Sequence, residues 1–500
     1  MTASSALAND RPNIVLIVAD QWRGDCLGSA GHGAVETPHL DELFLQGVRF
    51  DRAYTACPTC IPARASLLTG MTQRSHGRVG YQDRVPWPYP NTLPRAMADA
   101  GYHTHCTGKM HVHPPRSLMG FHSIDLHDGT VGANKRMPHD WGLYDDYAPW
   151  LQEREGVDAD VQDTGLGANS WVVNPWPYAE SSHPTNWATT RAIDFLRRRD
   201  PGKPFFLNLS YVRPHPPFDP PLHYLQRYAD KELPPVPRGD WLDDPEDAAR
   251  AGLRASFGAG RVRPDLEDEA RRAYFALITH IDHQIGRFRM ALQRYGVADN
   301  TVILFLSDHG ELLGDHNRYA KAMPFEGSAR IPWVMHLPPS WGPPRTASFD
   351  QPVELRDVMP TCCDLAGVEP PESVEGRSVL PLLRGETDWR EDLHGEHAFG
   401  LMSNQWLTDG REKYCWFPKW DGGRELLFDL HDDPQELHDL SRERSERIAH
   451  WRRRMAEELE GREEGYVVNG ELNADAQPKL LLDESGWFDD PPQTPCYPLD

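Results

Sequence analysis

The side chains best suited to chemistry sit in one stretch, Cys57-Pro58-Thr59-Cys60-Ile61-Pro62-Ala63-Arg64, which continues Ala65-Ser66-Leu67-Leu68-Thr69-Gly70. Pro62 fixes the chain two residues after Cys60 and cannot donate a backbone hydrogen bond. Arg64 brings a permanent cation back towards Cys60 at the start of what reads as a helix. A thiol at a helix N-terminus beside an Arg has a lowered pKa and serves as nucleophile or ligand. Cys57-x-x-Cys60 alone also fits a redox pair or half a zinc site. The zinc reading lacks a second Cys-x-x-Cys in the chain. A redox pair belongs in a short thioredoxin-like unit.

Other candidates stand where apolar runs end. Asn13-Ile14-Val15-Leu16-Ile17-Val18-Ala19 is continuously apolar and β-branched, as a strand covered on both faces reads, and it ends in Asp20-Gln21. Ligands gather at the carboxyl ends of strands in open α/β sheets, so Asp20 is a ligand candidate, with a helix or turn cap as the alternative. A strand over residues 102–107 delivers Gly108-Lys109-Met110-His111, where a cation and an imidazole two residues apart can face one pocket. His103, His105 and His113 nearby read as bystanders. A strand over residues 203–211 ends in Val212-Arg213-Pro214-His215-Pro216-Pro217-Phe218, and Pro on both sides holds His215 rigidly. A third strand over residues 300–306 ends in Ser307-Asp308-His309-Gly310-Glu311. Asp308 and His309 together with Asp20 make a metal constellation of oxygen and nitrogen donors.

These residues need a scaffold, and the chain between them supplies one. Thr37-Pro38 opens a helix with Thr37 as N-cap and Pro38 at its first position. Residues 92–97 form another, closed at Gly101. Ile278, Ile281, Ile285, Phe288 and Leu292 step by three and four along the strongest amphipathic helix, whose stripe packs on the sheet. Residues 119–187 are irregular and aromatic (Phe121, Trp141, Tyr144, Trp150, Trp171, Trp176, Tyr178, Trp187) and read as loops walling the site. Residues 234–269 read as a charged, Pro-rich surface insertion. A helix is expected from Asp357. Residues 413–417 and 425–430, with Gly422-Gly423 between, read as a hairpin. Asp433-Pro434-Gln435-Glu436 reads as the next helix start. The tail 461–500 reads as an extended segment lying on another surface, or on another subunit of a homo-oligomer.

Composition removes several classes of function. Five hundred residues call for two domains or one elaborated one. The expected division is a catalytic domain over residues 1–385 and a small antiparallel-sheet domain with its tail over 386–500. A net charge of −23 excludes nucleic acid as a partner, while leaving room for a local basic pocket that takes an anion. The first ten residues lack a basic segment and an apolar core, and no apolar run reaches the roughly 18 residues of a membrane span. The eight Cys are scattered, without a disulfide framework. A cytoplasmic protein with no membrane partner is the expectation.

The Cys60 stretch resembles the sulfatase signature C-x-P-x-R followed by a small residue and Ser-Leu-Leu-Thr-Gly. The resemblance extends through the lead-in from Thr37 by Gly47, Phe50 and Tyr54, Gly108-Lys109-Met110-His111, the H-x-P-F element at His215, and Ser307-Asp308-His309-Gly310. Lys321 with Pro324-Phe325-Glu326-Gly327, and Glu375-Gly376-Arg377-Ser378, continue it in family order, so that it spans residues 11–441. It implies an alkaline phosphatase-like α/β/α sandwich with a mostly parallel sheet, then a smaller antiparallel sheet. It also implies formylglycine made from Cys60 by a formylglycine-generating enzyme, and a sulfate monoester, aryl or carbohydrate, as substrate. Asp20, Gln21, Asp308, His309 and position 60 would hold one divalent metal, with Arg64 anchoring the nucleophile. Lys109, His111, His215 and Lys321 would bind sulfate and move protons, the acid and base among them left open. Asp20-Gln21 and Asp308-His309 stand where many sulfatases carry paired acids and Asp-Asn. That change weakens the usual Ca2+ assignment and leaves Mn2+ open. Similar pairs occur in phosphonate monoester hydrolases, so a phosphonate monoester or phosphodiester hydrolase is the alternative. A binding or redox protein with Cys60 unmodified is the third reading.

Overall fold

The protein is described from a computed structural model over residues 11–129, 145–242, 262–338, 346–398 and 400–482. Strand β1 (Asn13–Asp20) is the centre of the sheet. It is followed by β2 (Gly47–Phe50), β3 (Ala53–Tyr54), β4 (His103–Gly108), β5 (Ser123–Leu126), β6 (Phe205–Pro214), β7 (Thr301–Ser307), β8 (Trp333–His336), β9 (Ala347–Phe349) and β10 (Val353–Glu354). Eight of these form one sheet in the order β5-β4-β6-β1-β7-β8-β2-β9. Pairing is parallel throughout except where β8 runs against β7 and β2.

Strand alternation sends successive side chains of β1 into two separate cores. Val15, Ile17 and Ala19 join a cluster with Trp187, Phe195, Ile278, Ile281, Ile285 and Phe288, from helices Pro184–Arg198 and Pro264–Arg294. Ile14, Leu16 and Val18 join the opposite cluster, with Leu67, Met97 and Met359 of helices Cys60–Thr69, Leu93–Asp99 and Val358–Ala366. The continuous apolar run therefore has its expected cause, and the sandwich is α/β/α. A second, antiparallel sheet comprises β11 (Leu393–His397), β12 (Asn404–Thr408), β13 (Glu412–Phe417) and β14 (Arg424–Asp429). No helix among the described residues is long and apolar enough to cross a membrane.

Four local expectations are corrected. Thr37 occupies the N-cap position, but its hydroxyl accepts from Gly28 N and donates to Asp41 instead of capping. The free amides of His39 and Leu40 are taken by the Asp282 carboxylate of the long helix, at 3.1 and 2.8 Å. The described aromatics of 119–187 serve packing first: Phe121 lies in one core and Trp176 and Trp187 in the other, with Trp150, Trp171 and Tyr178 packed against the latter, while Trp171 also stacks on Tyr319, two residues before Lys321. Trp141 and Tyr144 lie outside the described residues.

Residues 234–269 are not wholly a surface insertion. Trp241 is buried against Phe325 and Phe428, and the long helix already begins at Pro264. Asp433–Glu436 is a turn, with Glu436 at φ 55°, and the helix starts at Ser445. Of the expected extended tail, residues up to 482 are described: β15 (Val467–Val468) pairs with β16 (Glu471–Leu472), and Leu482 O then accepts from Gln82 Nε2 at 2.8 Å.

Candidate active site

β1, β4, β6 and β7 are neighbours, so their carboxyl ends bring Asp20, Lys109, His215 and Asp308 to one place from widely spaced parts of the chain. The Cys60–Thr69 helix points its first residue into the same place. Thr59 is extended at its N-cap, and Gly70 closes the helix in the left-handed region at φ 67°. The whole helix is buried, which explains why the stretch shows no amphipathic pattern.

Cys60 Sγ lies 3.1 Å from His309 Nε2, 3.2 Å from Lys321 Nζ and 3.7 Å from Asp20 Oδ1. His111 and His215 also reach the Cys60 side chain. Lys109 Nζ donates to Asp20 Oδ2. Arg64 acts as a fork: Nε donates to Asp308 Oδ2 at 2.8 Å, and Nη1 donates to Lys109 O at 2.9 Å and to Ser210 Oγ at 3.1 Å. Gln21, at φ 68°, donates its backbone N–H to Asp308 Oδ1 at 3.1 Å. Every residue named as a site candidate from the sequence is thus in one buried cluster.

Two imidazoles have their tautomers set by the backbone. His309 Nδ1 donates to Gly310 O at 2.9 Å and His215 Nδ1 to Pro216 O at 2.8 Å, so each turns Nε2 towards Cys60. His111 sits at φ 57°, and Asp128 Oδ1 accepts both its N–H and that of Met110, at 2.9 and 2.8 Å. Asp128, Glu311 and Ser210 are described site residues that the sequence did not single out. Glu311 stood in view beside Asp308-His309, whereas nothing near Asp128 marked it.

The buried charges act on one another at short range. Burial and Cys60 act to raise the Asp20 carboxyl, but Lys109, His215 and Lys321 hold it well below the usual range. Burial and the neighbouring Asp20 push Asp308 up, against Arg64 and His309. The Cys60 thiol is lowered despite its burial, because Lys109, Lys321 and His309 surround it. Burial and Lys321 bring His215 down to about 4, so its ring is neutral at pH 7.

The residues present fit a divalent cation. One ligand atom from each of Asp20, Cys60, Asp308 and His309 lies within 4.8 Å of the others, all four residues buried. The Asp20 and Asp308 carboxylates converge with His309 Nε2 on one point, and Lys109 and Arg64 each pair with one of the two carboxylates from the side. The oxygen and nitrogen donors suit a hard or borderline metal.

Comparison with known proteins agrees with this geometry. The family model described as Sulfatase matches residues 12–368, and one described as N-sulphoglucosamine sulphohydrolase, C-terminal, matches 314–464. An arylsulfatase of Clostridium perfringens is 48% identical over 470 residues, covering 92% of this chain and 97% of that protein. A multifunctional alkaline phosphatase superfamily protein, PehA, of Trinickia caryophylli is 33% identical, over 86% of this chain and 91% of its own. The crystal structure of a phosphonate monoester hydrolase of Agrobacterium radiobacter superposes with a TM-score of 0.75 at 28% identity, covering 90% of this chain and 95% of that one. Fold and site together define a hydrolase of the alkaline phosphatase superfamily. Within that class the chain belongs to the sulfatase family, and it is an enzyme of sulfate ester hydrolysis.

Proposed function

We propose that this sulfatase cleaves sulfate monoesters of aryl or carbohydrate alcohols, with position 60 converted to formylglycine. The observation that carries the reading is the ring of Lys109, Lys321, His111, His215 and His309 around one buried side chain at a helix start. Cations on two sides suit a substrate whose three non-bridging oxygens share a negative charge. The thiol occupies the position from which an oxygen of the hydrated aldehyde would attack sulfur. Asp20, Gln21, Asp308 and His309 would hold Ca2+ or Mn2+, which when bound polarises the sulfuryl oxygens and lowers the pKa of the attacking hydroxyl.

The remaining roles belong to the chain's own groups. Arg64 fixes Asp308 and the Lys109 carbonyl, and so keeps the charged residues in register. Lys109 offsets sulfate charge. His111, whose buried Nδ1 has no hydrogen-bond partner among the described residues, is the candidate base for collapse of the diol to aldehyde and release of sulfate. Lys321 faces the departing alcohol oxygen, to protonate or stabilise it; His215 shares that role only in the form with Nε2 protonated, since its Nδ1–H is held by Pro216 O.

Phosphonate monoester hydrolysis is the second reading, favoured by the structural likeness to the Agrobacterium enzyme and by the Gln21 and His309 pair. A phosphonate monoester carries a carbon substituent where a sulfate monoester carries a third oxygen, so Lys109 and His111 serve the sulfate better. A panel of sulfate, phosphonate and phosphate esters is expected to give the highest kcat/KM with sulfate monoesters. Lys109→Ala and His111→Ala should each lose sulfatase turnover on the order of 10²–10⁴-fold, as for a positioned acid–base group. A higher kcat/KM on phosphonate monoesters in the parent enzyme would sink the sulfatase preference.

A further inference from the structure

One buried carboxylate beside the site touches none of Cys60, Asp20, Asp308 and His309 and meets the site only through Gln21, yet every bond it makes bears on Lys321. Glu311 is 2% exposed. Its Oε1 accepts the backbone N–H of Leu313 at 2.9 Å and of Ala320 at 2.5 Å, which ties together the two ends of the loop leading to Lys321. Its Oε2 accepts from Gln21 Nε2. On the other side of the same amide, Gln21 Oε1 accepts from Lys321 Nζ at 2.7 Å, and Lys321 Nζ also donates to Cys60 Sγ at 3.2 Å.

The polarity of this chain of contacts allows only one arrangement. An ionised carboxylate can only accept and an ammonium can only donate. Turning the Gln21 amide over would set oxygen against Glu311 and N–H against Lys321, leaving both contacts repulsive in a buried site. Glu311 therefore dictates which end of Gln21 meets Lys321. With two of its hydrogens on Gln21 and Cys60, the ammonium has its third direction fixed as well. We infer that Glu311 is a positioning residue that, through the Gln21 amide, aims Lys321 at the alcohol oxygen leaving sulfur. This rests on the reading of Lys321 as the group facing the leaving group.

Glu311→Gln isolates the link. The new amide can keep its oxygen on the Leu313 and Ala320 N–H groups, so the loop stays tied. Its NH2 then faces Gln21, which must turn over and present N–H to Lys321. The double substitution Gln21→Glu with Glu311→Gln restores a donor against an acceptor at both contacts. A role confined to tying the loop would leave Glu311→Gln fully active. Activities are compared at saturating metal, with metal content per chain measured, on 4-nitrophenyl sulfate and on an alkyl or sugar sulfate whose alcohol is a poor leaving group.

The expected result is a small loss of kcat on 4-nitrophenyl sulfate, about 3-fold, and a loss on the order of 10²-fold on the poor leaving group, as for a misplaced acid group. At least 10-fold of the larger loss should return in the double variant, with metal content matched. Crystals of Glu311→Gln should show Lys321 Nζ displaced from the residue 21 amide. Equal losses on both substrates, or no recovery in the swap, overturn the inference. If Glu311→Gln does not fold, Gln21→Met, compared per bound metal because Gln21 is also a proposed ligand, breaks the same link with the loop untouched, and absence of the leaving-group difference there overturns it equally. Lys321→Ala runs alongside. No leaving-group difference in that variant means the Lys321 reading fails and the inference with it, whereas a difference there and none in Glu311→Gln fails the Glu311 link alone.

Discussion

Cys57 and Cys60 are chemically the same residue three positions apart, and their surroundings separate them. Burial and Glu396 drive the Cys57 thiol up, which makes it an inert core group. Cys60 sits among cations that drive its thiol down. Cys60→Ala is expected to abolish turnover. Cys57→Ala removes only a buried sulfur, costs about 1–2 kcal/mol of stability, and keeps most activity. Steady-state kinetics on both variants checks this, with mass spectrometry of the Cys60 peptide for loss of sulfur and aldehyde trapping by a hydrazine. An active Cys60→Ala enzyme would refute the nucleophile assignment. The contrast is legible in the amino-acid order itself, because Pro62 and Arg64 stand at fixed offsets from Cys60 alone. Glu311 is not, since its meaning depends on Gln21 and Lys321 meeting it from distant parts of the chain.

Among the elements, strands were legible where burial on both faces wrote a continuous apolar run, as in β1 and β7, and the long helix where a single stripe faced the sheet. Legibility failed where side chains override local signals. Asp433-Pro434 looks like a helix start, but Glu436 turns inward at φ 55° so that its carboxylate can meet Lys413 Nζ at 3.0 Å. The loop after β6 is held by a similar interaction. Arg213 Nε and Nη2 donate to the two oxygens of Asp219, 2.6 Å each, closing the segment that carries His215. Burial would raise Asp219, but Arg213 and the adjacent His183 bring it down to about 2. A folded-state pKa below the unfolded value of 3.8 gives stability that is present above that value and lost as pH falls towards 2. Asp219→Asn should cost about 3–5 kcal/mol at pH 7, because Arg213 stays buried without its anion. Denaturant unfolding of both proteins across the acid range should show that deficit shrinking below pH 4, the parent's own loss closing the gap. A deficit independent of pH would contradict the assignment.

At the scale of the whole molecule, the small sheet is built into the site instead of hanging from it. Tyr54, Leu312, Met323 and Phe325 share one apolar cluster with Leu393, Trp406, Phe417, Leu426 and Phe428 of that sheet. Its first strand reaches the nucleophile loop: Glu396 N donates to Ala56 O at 2.8 Å, and His397 Nε2 lies 3.1 Å from Thr59 Oγ1. The Lys321 loop is gripped from the same side, where Asn404 Nδ2 donates to Ala322 O at 3.1 Å and Lys413 Nζ to Pro324 O at 2.8 Å. Residues flanking both Cys60 and Lys321 thus take hydrogen bonds from beyond position 385. We propose that a division at 385 separates two sheets but not two independently stable parts. A fragment of residues 1–385 would expose Tyr54, Met323 and Phe325 and leave the Ala56, Ala322 and Pro324 carbonyls without their donors. It is expected to be insoluble, or soluble with no measurable turnover, and co-expression with residues 386–500 should recover activity through reassembly. A soluble 1–385 fragment with the parent's kcat would show that the small sheet adds nothing to catalysis, and the contacts at Thr59, Ala322 and Pro324 would then have to be read as packing alone.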